Sequence, residues 1–304
     1  MKKILIVSSS VILAVAIIVS IVIVYVSPKL QTLIAKYQKG SDITNTINKN
    51  PTPYWAYSYS YGLDNRKGGA EIQQTRDGGY ITAGGIRSHG IDNVSVIKLN
   101  SNGTIDWQKT YRYGKMAEGS VQSIQQTSDG GYIVAGDTHS LGGEDYNIWI
   151  LKLKNDGNIE WQKTYGVGRS VSIQQTRDGG YIVAGNTPSD NGKCNILVLK
   201  LNADGVIAWQ RLYGRGGYNF SAQSIHQTSD DGYILNGTTD FQRLGIWIVK
   251  FDENGQIIWQ KAYSGIFPRS IEQTSDNGYI VVGMFRRVDV QGGDILVFKL
   301  KSDG

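Results

Sequence analysis

One stretch recurs along the chain. Residues 123–166, SIQQTSDGGYIVAGDTHSLGGEDYNIWILKLKNDGNIEWQKTYG, return in variant form from residue 71 to the C-terminal end. Similarity at a period of roughly 40 to 50 residues restricts a chain to arrays, solenoids and propellers, because each unit must bury its apolar face on the next. Thr75, Thr127, Thr176, Thr228 and Thr274 each close a Gln-Thr pair. An Asp follows two residues on, in a turn, and then Gly-Tyr-Ile. A second apolar run ends in Lys98, Lys152, Lys200, Lys250 or Lys299, and Trp107, Trp161, Trp209 and Trp259 open the last segment.

Each unit holds four short β-rich runs; in the second they cover 123–127, 132–136, 147–153 and 159–165. Asp129-Gly130-Gly131 suits a tight turn needing positive φ. Asn102-Gly103, Asp156-Gly157, Asp204-Gly205 and Asn254-Gly255 predict two-residue hairpins. No unit has a helix-length pattern. Four antiparallel strands per unit, five times over, predict an all-β, five-bladed β-propeller. The fifth unit supplies only three runs before Asp303-Gly304. Trp55, Tyr59, Tyr61 and Gly62 repeat the spacing of Trp107, Tyr111, Tyr113 and Gly114. Residues 54–62 are therefore expected as the outer strand of the last blade, closing the ring and removing open sheet edges.

The segments QQTSDGGYIVAG and WILKLKNDGNIEWQKTYG resemble the tandem repeats of secreted or membrane-anchored bacterial and archaeal β-propellers, over residues 54–304. The resemblance implies the fold and a place outside the cytoplasm; it implies no single activity.

Before the repeats, Met1-Lys2-Lys3 leads into an uncharged run from Ile4 to Val26. That run is long enough to cross a hydrocarbon core of about 30 Å, so membrane lipid is an expected partner of residues 4–26. A cleaved signal peptide competes, with Ala14-Val15-Ala16 as its cleavage site, but the run stays apolar for ten residues beyond it. The division expected is a transmembrane signal anchor over 1–27, a stalk over 28–53 and the propeller over 54–304. The short basic N-terminus orients the amino end inside and the propeller on the extracellular or periplasmic side.

The net charge of +5 is modest and no Lys/Arg stripe appears, which argues against nucleic acid. A single Cys194 excludes an intrachain disulfide. There is no P-loop, CxxC, HExxH or nucleophile elbow, so no cofactor, metal or catalytic residue is assigned.

In a four-strand meander the fourth-to-first and second-to-third connections share one end. The variable loops fall there, including 115–121, 167–171, 215–222 and 266–269 between units and 137–146 within one. Loops on a rigid scaffold are where binding is usually placed. The binding-face candidates are Arg66, Lys115, Arg169, Arg215 and Arg269, a set of basic groups suited to an anion or acidic glycan, with Tyr218 and Phe267 able to stack on sugar rings. Glu71, His226 and Glu272 break the repeat on the innermost strands and are the channel candidates. The repeated Asp and Lys are expected to form one structural ion pair per blade. Three functions follow: a recognition or scaffolding module binding a protein, glycan or envelope component, a glycan-active enzyme, or a structural subunit of a surface layer or filament.

Overall fold

A computed structural model describes residues 69–304 apart from 89–90, 113–117, 140–145, 190–191, 215–216, 241–244 and 287–292. The chain divides into two units, residues 1–60 and 61–304, and every described residue belongs to the second. The span expected over 4–26, the stalk, the strand expected over 54–62, Arg66, Lys115 and Arg215 lie outside the described residues. No helix among the described residues is long and apolar enough to cross a membrane.

The described chain is all-β, in antiparallel sheets that follow one another along the sequence. Blade 1 is β1 (Gly69–Gln74), β2 (Tyr80–Ser88), β3 (Ile91–Leu99) and β4 (Ile105–Tyr111). Blade 2 is β5 (Glu118–Gln126), β6 (Tyr132–His139), β7 (Tyr146–Leu153) and β8 (Ile159–Val167). Blade 3 is β9 (Arg169–Gln175), β10 (Tyr181–Pro188), β11 (Cys194–Leu201) and β12 (Ile207–Tyr213). Blade 4 is β13 (Phe220–Gln227), β14 (Tyr233–Thr239), β15 (Gly245–Phe251) and β16 (Ile257–Ser264). The last sheet has three strands, β17 (Ile266–Gln273), β18 (Tyr279–Arg286) and β19 (Gly293–Leu300). In each sheet the strands are ordered as they occur in sequence, as a repeated, propeller-like blade requires.

The turns differ from expectation in one respect. Gly157 N–H donates to Lys154 O at 3.0 Å, Lys154 N–H donates to Asn158 O at 2.9 Å, and Gly157 has φ 77°. The hairpin is thus three residues long, a type I turn followed by one left-handed residue, where Asp-Gly predicted two. Asp156 Oδ1 accepts from Asn158 N–H at 2.9 Å, and this local bond keeps Asp156 out of the positive-φ conformation that the shorter turn demands. The Asn102-Gly103, Asp204-Gly205 and Asn254-Gly255 hairpins close in the same way. Two expected loops are also largely strand. β8 runs to Val167 and β9 starts at Arg169, so Gly168 alone joins them. Gly265 alone joins β16 to β17, which places Phe267 and Arg269 inside a strand. A single glycine at φ 153° or 77° reverses the chain in each case.

Blades pack face to face through four apolar clusters, one per successive pair. Between blades 1 and 2, Ile81, Val94 and Val96 meet Ile124, Trp149 and Leu151. Comparable clusters join blades 2 to 3, 3 to 4 and 4 to 5. Polar residues of the repeat lock the same junctions. Gln126 N–H donates to Gln73 Oε1 at 2.6 Å, while Gln126 Oε1 accepts from Arg76 N–H at 2.9 Å. Blades 2 to 3 and 3 to 4 repeat both bonds, through Gln125 with Gln175 and Gln174 with Gln227. At the outer strands, Trp107 Nε1 donates to Asn155 O at 3.1 Å and the Tyr111 hydroxyl to Gly157 O at 2.5 Å, holding the hairpin of the next blade. The Gln-Gln and Trp-x-x-x-Tyr signatures are therefore inter-blade fasteners.

The far face of the last sheet is different. Ile295 and Val297 are 67% and 58% exposed, whereas Ile246 and Ile248, their counterparts in blade 4, are fully buried. Among the described residues β19 has no fourth strand beside it.

Candidate functional site

Function is best sought among residues that the architecture does not already use. The repeated lysines are used. Lys98, Lys152, Lys200 and Lys250 are buried, and each ammonium reaches the turn Asp of its own blade: Asp77 at 2.8 Å, Asp129 at 2.7 Å, Asp178 at 2.8 Å and Asp230 at 2.9 Å. Lys299 pairs with Asp276 at the more exposed end. The expected ion pair thus forms in every sheet, within the blade. Each of those four ammoniums also donates to the carbonyl of the residue after it. Asp77 is pulled down to about 2 by Lys98 and then by the Thr75 hydroxyl. For Asp129 and Asp178 burial pushes upward, but the bonds from Lys and Thr prevail and both also sit at about 2.

The channel candidates lie on three different sheets, Glu71 on β1, His226 on β13 and Glu272 on β17. Glu71 reaches forward to blade 2, where its Oε2 accepts from Ile124 N–H at 2.7 Å. The corresponding serine of blade 3, Ser172, accepts from Ile225 N–H in the same way, so Glu71 fills a serine's structural place. Burial pushes its pKa up, against the bonds from Ile124 and Ser123. His226 lies on β13, and burial pushes its pKa down. Glu272 is exposed on β17. Among the described residues no three His, Cys, Asp or Glu side chains come together as a metal site.

Of the binding-face candidates, Arg169 is exposed and its guanidinium lies 3.8 Å from the centre of the Tyr146 ring. Arg269 is exposed and Phe267 half-buried, both on β17. A buried acid that sequence reading passed over, Asp137 of β6, lies close by: Ser120 Oγ donates to it at 2.6 Å, and burial raises its pKa against that bond and the charge of Arg169. Its signal was a departure from the repeat, since Gly85, Asn186, Thr238 and Met284 hold the equivalent place.

Among the described residues, Tyr218 lines a hollow at the junction of blades 3 and 4. A cleft of about 770 Å³ opens between the outer strands of blades 3 and 4. Tyr213, Phe220 and Trp247 form its buried aromatic part, and Leu212, Tyr218 and Ile257 are its exposed large apolar members. Phe220 and Trp247 pack edge to face with centroids 4.9 Å apart. The loop carrying Tyr218 is tied at the next residue. Asn219 N–H and Nδ2 donate to the two Asp240 carboxylate oxygens at 2.6 and 2.9 Å, and Asn219 Oδ1 accepts from Cys194 N–H at 3.2 Å. Burial pushes the Asp240 pKa up, but the Asn219 bonds outweigh it and leave it lowered. Leu212 stands where the other outer strands carry Thr110, Thr164 and Ala262. It is 63% exposed.

These features define a repeat protein of propeller-like blades with an aromatic cleft at one junction. No protein-family model matches the chain, and no curated protein sequence matches it either. Among solved structures, a protein of unknown function from Dyadobacter fermentans is similar in fold. It is 11% identical, with a TM-score of 0.56 over 78% of this chain and 80% of its own. An endo-arabinase from Bacteroides thetaiotaomicron aligns over 74% of this chain and 91% of its own, at 11% identity and a TM-score of 0.44. A family 43 β-xylosidase/α-arabinofuranosidase from a compost metagenome aligns over 78% and 91%, at 11% identity and 0.45. The last two are too distant to bear on activity here.

Proposed function

We propose that this chain is a membrane-anchored recognition or scaffolding module. In this reading a five-bladed propeller, closed by residues 54–62, is carried outside the cytoplasm by the span 4–26 and the stalk 28–53. A protein, glycan or envelope component binds where the variable loops gather. The observation that carries the reading is the cleft beside Tyr218: an aromatic-lined hollow of ligand size, with its platform loop tied down by Asn219 and Asp240. The repeated polar residues support it indirectly, because most are engaged in fastening blades and turns.

The test is a binding screen of the full-length chain against glycans, proteins and envelope fractions, repeated with Tyr218→Ala and with Arg169, Arg215 and Arg269 changed together to Ala. Tyr218→Ala is expected to weaken the captured ligand about tenfold or more, as loss of a central aromatic contact does. A ligand held equally well by Tyr218→Ala would place recognition elsewhere. Labelling of a cysteine-substituted propeller loop by an impermeant reagent on intact cells checks the orientation.

A second reading, a glycan-active enzyme, draws on Asp137, whose buried carboxyl holds its proton more firmly than an ordinary Asp. Loss of a glycan-cleaving activity in Asp137→Asn, with folding intact, would favour it.

A further inference from the structure

Resting on the reading that the propeller lies outside the cytoplasm, we infer that Asn102 is a modification site and carries an N-linked glycan. The acceptor triplet Asn-x-Ser/Thr, with x other than Pro, occurs at Asn93, Asn102, Asn219 and Asn236, while Asn50 is followed by Pro51. The fold closes three of them. Asn236 is fully buried within β14, its Oδ1 accepting from Ser224 Oγ at 2.6 Å. Asn93 is half-buried within β3, set opposite Ile86 of β2. Asn219 donates its Nδ2 to Asp240 Oδ2 at 2.9 Å, and the residue after it, Phe220, is buried.

Asn102 stays open. It is exposed at the tip of the hairpin between β3 and β4, where modifying enzymes reach most easily, and Thr104 is exposed with it. Thr104 N–H and Oγ1 donate to Asn102 Oδ1 at 3.1 and 2.7 Å, and Asn100 Nδ2 donates to Thr104 Oγ1 at 3.0 Å. The carboxamide is thus held by its oxygen, while its Nδ2 donates to no group among the described residues. Blade 2 shows that a clasped hairpin keeps this place free. Trp107 and Tyr111 donate to Asn155 O and Gly157 O, and Asp156 between them is exposed. A closing strand over 54–62 can clasp 100–104 in the same manner with Asn102 still open. The donor is a sugar linked to a lipid diphosphate. Asn102 Nδ2 attacks its anomeric carbon, and an N–C bond forms as the C–O bond to the diphosphate breaks. The electron pair leaves with the diphosphate, and the amide gives one proton to a base of the transferase. Oδ1 is untouched, so the bonds of the turn survive the modification.

Mass spectrometry of tryptic peptides tests this on the full-length chain isolated from the membranes of its native cells. Cleavage after Lys98 and Lys109 gives peptide 99–109, in which Asn102 is the one acceptor. That peptide should carry a sugar mass, and the peptides holding Asn93, Asn219 and Asn236 should not. Asn102→Asp keeps the turn acceptor that Asp156 supplies in blade 2, so it should lose the sugar at an unchanged melting temperature. Thr104→Ser should retain the sugar and Thr104→Ala should lose it. A bare 99–109, a sugar on another acceptor, or a sugar that survives Asn102→Asp overturns the inference. Impermeant labelling of a cysteine-substituted propeller loop on the same cells separates the two readings. A bare 99–109 on a chain labelled from outside overturns the glycan alone, and a chain labelled only after lysis overturns both.

Discussion

Lysine inside an apolar strand is costly unless its charge is matched, and each blade matches it with the Asp of its own first turn. The four buried pairs differ in their reserves. Lys152 also has Glu160 at 3.2 Å, whereas Asp178 is the sole ion-pair partner of Lys200 among the described residues. Asp178→Asn should therefore destabilise by about 1–3 kcal/mol, below the usual cost of breaking a buried pair because the carboxylate is exposed. Asp129→Asn should cost less, and a denaturant titration of both variants checks the order. The pH dependence has a definite sign. Asp77, Asp129 and Asp178 titrate at about 2 when folded, below the ordinary carboxylate value. Their stabilisation is complete above pH ~4 and is lost as pH falls toward 2, so melting temperature should drop across that window. Variants lacking these carboxylates should show a shallower drop. His226 works earlier: burial depresses its pKa, so the unfolded chain takes the proton first and stability declines as pH falls below ~6.5. His226→Gln, the residue of blades 1 to 3, should remove that decline.

At the scale of a blade, two contacts explain why the turns are spelled alike. A side chain at Gly131 would place its Cβ 2.3 Å from Leu153 O and 2.6 Å from the Lys152 ammonium. Gly131→Ala should therefore disturb both the hairpin and the ion pair, costing on the order of 1–3 kcal/mol. At the outer strand the Tyr165 hydroxyl donates to Gly205 O at 2.6 Å across the junction, and burial pushes its pKa up to about 12. Tyr165→Phe leaves that carbonyl unpaired and should cost about 1–2 kcal/mol, read as a lower denaturant midpoint at unchanged slope. These bonds were hidden from a strand-by-strand reading. Gln73, Gln125 and Gln174 read as a polar stripe with two exceptions, because sequence order reports neighbours within a blade and the glutamines bond between blades. The hairpin class was missed for a related reason. Asp-Gly suits two turns, and the Asp156 side chain decides between them by bonding Asn158.

Over the described residues, the far face of the last sheet departs from the pattern of the four junctions. Ile295 and Val297 carry the residue types that are buried at every earlier junction, yet stand exposed. If residues 54–62 complete the last blade, Trp55 and Tyr59 act on the hairpin at 100–104 as Trp107 and Tyr111 act on the hairpin at 154–158. Trp55→Ala should then lower the melting temperature as much as Trp107→Ala does. An unchanged melt for Trp55→Ala would remove the closing strand from the fold. The repeat, its strand count per unit and the Asp–Lys pairs follow from the amino-acid order alone, since periodicity and charge in an apolar run each admit few solutions. The cleft followed only from tertiary structure. Leu212, Tyr218, Trp247 and Lys261 belong to two blades and four separate strands or turns, and nothing in their spacing says that they share one hollow. Only the packing of blade 4 on blade 3 brings them together.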